Sequence, residues 1–219
     1  MYRDAVAIVL LAFVGAVLGG VRATAQDGKI VATSLFNGTD LTGWSVRDGE
    51  KSAWSVKGGV LVCTGKGGWL MSETEYANGS FFVEYRITKG ANSGLAIRTP
   101  LKGDPAYQGL EIQILDDDSY KDERADRLTG AIWDVMAPRQ KAAQTIGTWN
   151  NMTVIFEGPL VAVSVNGKTI LNANRKKLSE SKELVKKHPG LLREKGRLGL
   201  QGHTGLIEFR KVVVVTKGP

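Results

Sequence analysis

Glu111 and Gln113 stand two residues apart in the run Gly109-Leu-Glu-Ile-Gln-Ile-Leu-Asp-Asp117. Leu110, Ile112 and Ile114 alternate with them. An alternation of period two puts the aliphatic side chains on one face of a strand and the carboxylate and carboxamide on the other. An acid and an amide about 7 Å apart along a strand suit a polyhydroxylated ligand. The same pattern also describes an ordinary half-exposed strand.

Three further segments carry the same parity. In Leu95-Ala-Ile-Arg98 the aliphatic pair faces one way and Arg98 the other; in Leu198-Gly-Leu-Gln-Gly-His203 the leucines face inward while Gln201 and His203 face outward. In Ala131-Ile-Trp-Asp134, Ile132 is the core candidate and Trp133 takes the outer face. If these strands are neighbours, one curved face gathers Glu111, His203, Arg98, Gln113, Gln201 and Trp133. Amides and charged groups bind hydroxyls, and an indole stacks on the apolar face of a pyranose. Glu111 and His203 form a competent general acid–base pair where they meet.

Each residue also has a plainer reading. Arg98 can pair with Glu84 or Glu111 across strands. A register slip of one residue turns Trp133 into core, and His203, between Gly202 and Thr204-Gly205, can shape a turn. Asp116-Asp117-Asp118 offers oxygens to a hard cation or closes the strand as a solvated turn. With only two histidines, a His-rich metal site is excluded. The cofactor these residues allow is a divalent cation on Glu111 or in the Asp116 region.

Many short strands separated by Gly, Asn and Asp must position these groups. Lys57-Gly58-Gly59, Glu157-Gly158-Pro159 and Asn166-Gly167 read as hairpin turns. Strands at this spacing predict an all-β sandwich or jelly roll. One helix is expected over residues 179–187, stopped by Pro189-Gly190. Arg3, the apolar run over residues 5–18 and Ala23-Thr24-Ala25 have the layout of a secretory signal peptide. The expectation is therefore an exported chain, periplasmic or extracellular, with residues 1–25 removed, no stable membrane insertion afterwards, and a single domain over 26–219. The oligomeric state is not readable.

The chain of 219 residues carries a net charge of +7. Nine Lys and Arg side chains fall within residues 175–197 with no aromatic residue among them, so the segment reads as a solvated, basic helical insertion and not as a nucleic-acid surface. The single Cys63, flanked by apolar residues, is expected to be a small buried side chain.

Several stretches, in order, resemble the 3-keto-disaccharide hydrolase domain family. Phe36-Asn-Gly-Thr-Asp-Leu-Thr-Gly-Trp44 is similar to its opening "FNGkdLdGW", Asn92-Ser-Gly-Leu-Ala-Ile-Arg98 to "NSGifxR", and Gly109-Leu-Glu-Ile-Gln-Ile-Leu-Asp116 to "GxExQilD". Thr129-Gly-Ala-Ile-Trp-Asp134 resembles "TGalYd", with Trp133 for the commoner Tyr. Gly147-Thr-Trp-Asn150, Val165-Asn-Gly167 and Gly199-Leu-Gln-Gly-His203 with Phe209-Arg210 follow, the last departing from the pattern at Lys211. The resemblance spans roughly residues 33–215 and implies a concanavalin A-like sandwich of the laminarinase and laminin-G type. It also implies cleavage of glycosides already oxidised to a ketone at sugar carbon 3. A 3-keto group acidifies the C2 proton, so a base can form an enolate and expel the C1 substituent before water adds. On this reading Glu111 or His203 is the base and Arg98 steadies the enolate. Gln113 and Gln201 orient hydroxyls, and Trp133 stacks on the ring. The alternative is a glycan-binding module with no catalysis, since a fold does not fix a function.

Overall fold

The computed structural model describes residues 29–218; the expected signal peptide, residues 1–25, lies outside the described residues. Thirteen strands are named in chain order: β1 (Ile30–Ser34), β2 (Trp44–Arg47), β3 (Trp54–Lys57), β4 (Val60–Cys63), β5 (Gly68–Tyr76), β6 (Gly79–Ile87), β7 (Asn92–Thr99), β8 (Leu110–Leu115), β9 (Asn150–Glu157), β10 (Leu160–Val165), β11 (Lys168–Asn174), β12 (Gly196–Gly202) and β13 (Ile207–Lys217). They form two antiparallel sheets. The larger runs β11-β10-β9-β6-β13-β4-β3 with β1 also paired to β13; the smaller runs β2-β5-β12-β7-β8. The expected sandwich is what forms.

Local chemistry explains the connections. Asn166 and Gly167 both hold positive φ, 49° and 77°, between β10 and β11. That is the geometry of a two-residue turn whose twist matches the flanking strands. Gly58 and Gly59 do the same between β3 and β4.

The core lies between the sheets. From the smaller sheet, Leu70, Leu200, Leu95 and Ile112 stand in register across four strands and point inward. Val83, Tyr85, Met152, Val154 and Phe209 meet them from the larger one. Each such aliphatic side chain, fully buried, contributes about 1.5–3 kcal/mol. Cys63 is buried among them.

The basic insertion differs from a single solvated helix. It forms two short helices, Arg175–Leu178 and Lys182–Lys187, capped by the side chains of Asn174 and Ser181, then a 3₁₀ turn over Pro189–Leu192. Its inner face is buried. Arg175 is 3% exposed and donates to the Leu191 carbonyl and to Glu194, and His188 is wholly inaccessible. A Cβ on Gly190 would lie 1.9 Å from the Gly109 carbonyl. Only glycine lets this segment close on the residue that leads into β8.

Candidate active site

Residues next to the inward row of the smaller sheet must face away from the larger one. Two rows result. One joins Arg47 of β2, Trp69 of β5, Gln201 of β12 and, across β7, the pair Gly94 and Gln113; the other joins Ser45, Met71, Gly199, Ala96 and Glu111. Gly94, Ala96 and Gly199 leave a shallow trough between the larger side chains. The loop and short helix over residues 101–107 form one wall. Arg47, Asp48 and Lys66 form another, around a groove of about 970 Å³. That volume lies at the upper end of the usual range for ligand sites.

Glu111 lies at the floor of this groove and is only 3% exposed. It leans over Gly94, where a Cβ would come within 2.3 Å of its Oε1. Burial, reinforced by the negative charge of Asp104, pushes its carboxyl up to about 8 against the opposing hydrogen bond from the Gln201 amide. Asp104 is fixed in turn, because its side chain caps the Pro105–Gln108 helix by accepting from the Ala106 N–H. A carboxyl titrating near 8 is a stronger base, once ionised, than an ordinary carboxylate, and its proton moves close to neutral pH.

Gln113 is also buried and donates from Nε2 to Asn92 Oδ1 at 3.1 Å. Beyond β8, the backbone N–H of Trp133 donates to the Glu111 carbonyl at 2.9 Å, so the main chain that carries the indole is tied to the strand that carries the acid. Trp133 meets Tyr107 edge to face at 5.4 Å, and both line the groove. His203 lines it too, from an exposed position at the end of β12, with Nδ1 3.2 Å from Thr204 Oγ1. The turn-shaping reading of His203 also has substance: its carbonyl accepts from the Lys66 N–H at 3.0 Å, which holds the Lys66 loop at the rim.

The structure thus brings together Glu111, Gln113, Gln201, Trp133 and His203, and it does not bring Arg98 or Asp116 to them. Arg98 is wholly buried, donating to the carbonyls of Ala77 and Gly158 at 2.9–3.1 Å. The cause is a bulge. Between β12 and β7 the register shifts, so that Ile97 and Arg98 oppose Leu198 alone, and Arg98 takes a φ of +53°. An inserted residue reverses the alternation beyond it, and the guanidinium turns inward against Phe156. Asp116 lines a different cavity and accepts from the Gly90 N–H and the Ser119 hydroxyl. The two places expected for a divalent cation, Glu111 and the Asp116 region, therefore lie at separate cavities. Among the described residues no group of three or more His, Cys, Asp or Glu side chains is placed to hold a metal ion.

Other groove residues were not singled out by parity: Asn92, Asp104, Tyr107, Lys66 and Arg47. The Asp104-Pro105 helix-start signal was available and would have placed Tyr107 on a helix beside β8. Lys66, in a glycine-rich turn, gave no signal.

The family described as the 3-keto-alpha-glucoside-1,2-lyase-like domain matches residues 31–215. A 3-keto-disaccharide hydrolase of Bacteroides thetaiotaomicron is 24% identical over 230 residues, covering 86% of this chain and 78% of the relative. A crystal structure of a candidate glycosyl hydrolase from Parabacteroides distasonis is 25% identical with a TM-score of 0.72, covering 86% of this chain and all of that one. The laminarinase of Rhodothermus marinus shares the fold alone, at 10% identity, a TM-score of 0.53, and coverage of 88% and 99%.

Proposed function

The chain belongs to the 3-keto-alpha-glucoside-1,2-lyase-like domain family, and on that premise we propose that it cleaves 3-keto-glycosides by elimination followed by hydration. The observation that carries the proposal is Glu111: a buried carboxyl on the groove floor, raised to about 8 and aimed over a glycine. Ionised, it removes the C2 proton. The C2–H electrons form the enolate of the C3 ketone, which expels the C1 substituent and leaves a C1–C2 double bond. Water then adds its oxygen at C1, its released proton replacing the one given to the leaving oxygen, and C2 takes up a proton that has exchanged with solvent. The leaving oxygen takes a proton from His203 or from solvent. Gln113 and Gln201 orient hydroxyls, and Trp133 with Tyr107 offers an apolar wall to the sugar ring. No part is left for Arg98.

This chemistry needs one base near the C2 proton and not the paired carboxylates of ordinary glycosidases. The protein should cleave a 3-keto-disaccharide and leave the unoxidised disaccharide intact. Binding of the 3-keto sugar without cleavage over hours would favour the glycan-binding alternative. The reading also carries forward the expectation of an exported protein, and no helix among the described residues is long and apolar enough to cross a membrane.

A further inference from the structure

Asp134 and the basic segment of residues 175–197 have no part in the chemistry above, yet they meet behind the aromatic wall of the groove. Tyr107 carries the imidazole of His188 stacked on it, centroids 5.1 Å apart and planes at 20°. Trp133 carries the guanidinium of Arg127, 4.9 Å from its ring centroid. Both supports end on one carboxylate. His188 Nε2 lies 3.0 Å from Asp134 Oδ2, and Arg127 Nη2 donates to Asp134 Oδ1 at 2.9 Å. Lys187 at 2.5 Å and Arg124 at 3.1 Å complete the set.

The side chains of Asp134 and His188 are both inaccessible. Burial works against the charge on Asp134, but hydrogen bonds from Lys187, Arg127 and His188 hold its carboxyl well below the usual carboxylate range. The backbone is bent for the purpose. Asp134 holds a φ of +59°, a conformation that costs most residues energy and that Asp tolerates better than most. Adjacent residues therefore divide: Trp133 reaches the groove and Asp134 the buried cluster.

We propose that Asp134, acting through His188 and Arg127, sets the orientation of the Tyr107–Trp133 wall, and that the basic segment serves the groove by delivering Lys187 and His188 to that carboxylate. None of Asp134, His188, Arg127 and Lys187 lines the groove; they are positioning residues. A ring held in place before the ligand arrives does not have to be ordered on binding, and such preorganisation shows in affinity. That the wall receives a sugar rests on the glycoside reading; that Asp134 orients the wall does not.

Three variants test this. Asp134→Asn keeps the shape and removes the charge. His188→Phe keeps a ring against Tyr107 and loses the bond to Asp134. Arg127→Met is the mild change, its side chain being 31% exposed. The readouts are near-ultraviolet circular dichroism and the separate kcat and KM for a 3-keto-disaccharide. In folded variants the near-ultraviolet aromatic signal should shift toward that of Trp133→Phe. KM should rise about tenfold while kcat changes less than about threefold, the pattern of lost uniform binding. Should the two buried variants fail to fold, Arg127→Met carries the same expectation at smaller size. A parent-like aromatic spectrum and KM in the folded variants, or a fall in kcat at constant KM, overturns the proposal. If the parent cleaves no 3-keto-glycoside, the catalytic reading fails alone, and the aromatic spectra still decide the orientation.

Discussion

At the scale of single residues, Glu111 carries the account, and its proton has two measurable consequences. Glu111→Gln keeps the shape and removes the base, so turnover should fall by at least about 10² with the fold intact. In the parent, kcat/KM should rise about tenfold per pH unit up to about pH 8 and then level, since only the ionised form acts. Stability should move in the opposite direction. The native state keeps this proton up to about 8, while the unfolded chain releases it near 4.5. Between those values the native state binds more protons, so stability falls as pH rises, by on the order of a few kcal/mol in all. Urea unfolding at pH 5 and pH 9 should show that fall in the parent and a smaller one in Glu111→Gln. The neighbouring glycine offers an independent check. In Gly94→Ala the new methyl would lie 2.3 Å from Glu111 Oε1 and 2.9 Å from its Cγ, so the buried carboxyl must shift and turnover should drop. An unaltered rate in that variant would mean that the position of the carboxyl does not matter.

At the scale of elements, alternation in the sequence was enough to find Glu111, Gln113 and Gln201, because β8 and β12 are regular where those residues lie; Trp133 lies in a turn after an isolated bridge at Ile132, where parity reached the right face without a strand. It failed at Arg98, where one inserted residue in β7 reverses the alternation and sends a cation into the core. No local pattern distinguishes Ala-Ile-Arg as a strand from Ala-Ile-Arg as a bulge. The role of Arg98 is therefore to join the sheets, since it ties β7 to the carbonyls of Ala77 and Gly158 at the ends of neighbouring loops. Arg98→Met should leave those carbonyls without a buried partner, at about 1–3 kcal/mol for each group. Its urea midpoint should fall while kcat per folded molecule stays near the parent value. A large loss of kcat with stability unchanged would return Arg98 to the chemistry. The Asp134 cluster was beyond local reading for another reason: His188 lies 54 residues from its partner, and the two meet where the segment closes on Gly109 through Gly190.

At the scale of the whole molecule, the sandwich was legible from strand spacing and turn residues, because antiparallel strands joined by short turns leave a period-two record along the chain. Which strands neighbour one another was not legible. The groove exists because β12 and β7, far apart in sequence, lie between β5 and β8 and bring Gln201 beside Gly94 and Glu111. The walls of the groove are mostly loop and short helix, but its floor, with Glu111, Gln113 and Gln201, stands on strands, which favours a fixed base over a mobile one. The claim that this base acts by taking a proton from C2 has a direct test. A 3-keto-disaccharide carrying deuterium at C2 of the oxidised ring is to be cleaved by the parent protein in ordinary water, and the products analysed by mass and nuclear magnetic resonance. Loss of the label from C2, with a slower rate than for the unlabelled sugar, is the predicted result. Products that keep the C2 deuterium in full, formed at the same rate as from the unlabelled sugar, would contradict elimination and the role given to Glu111.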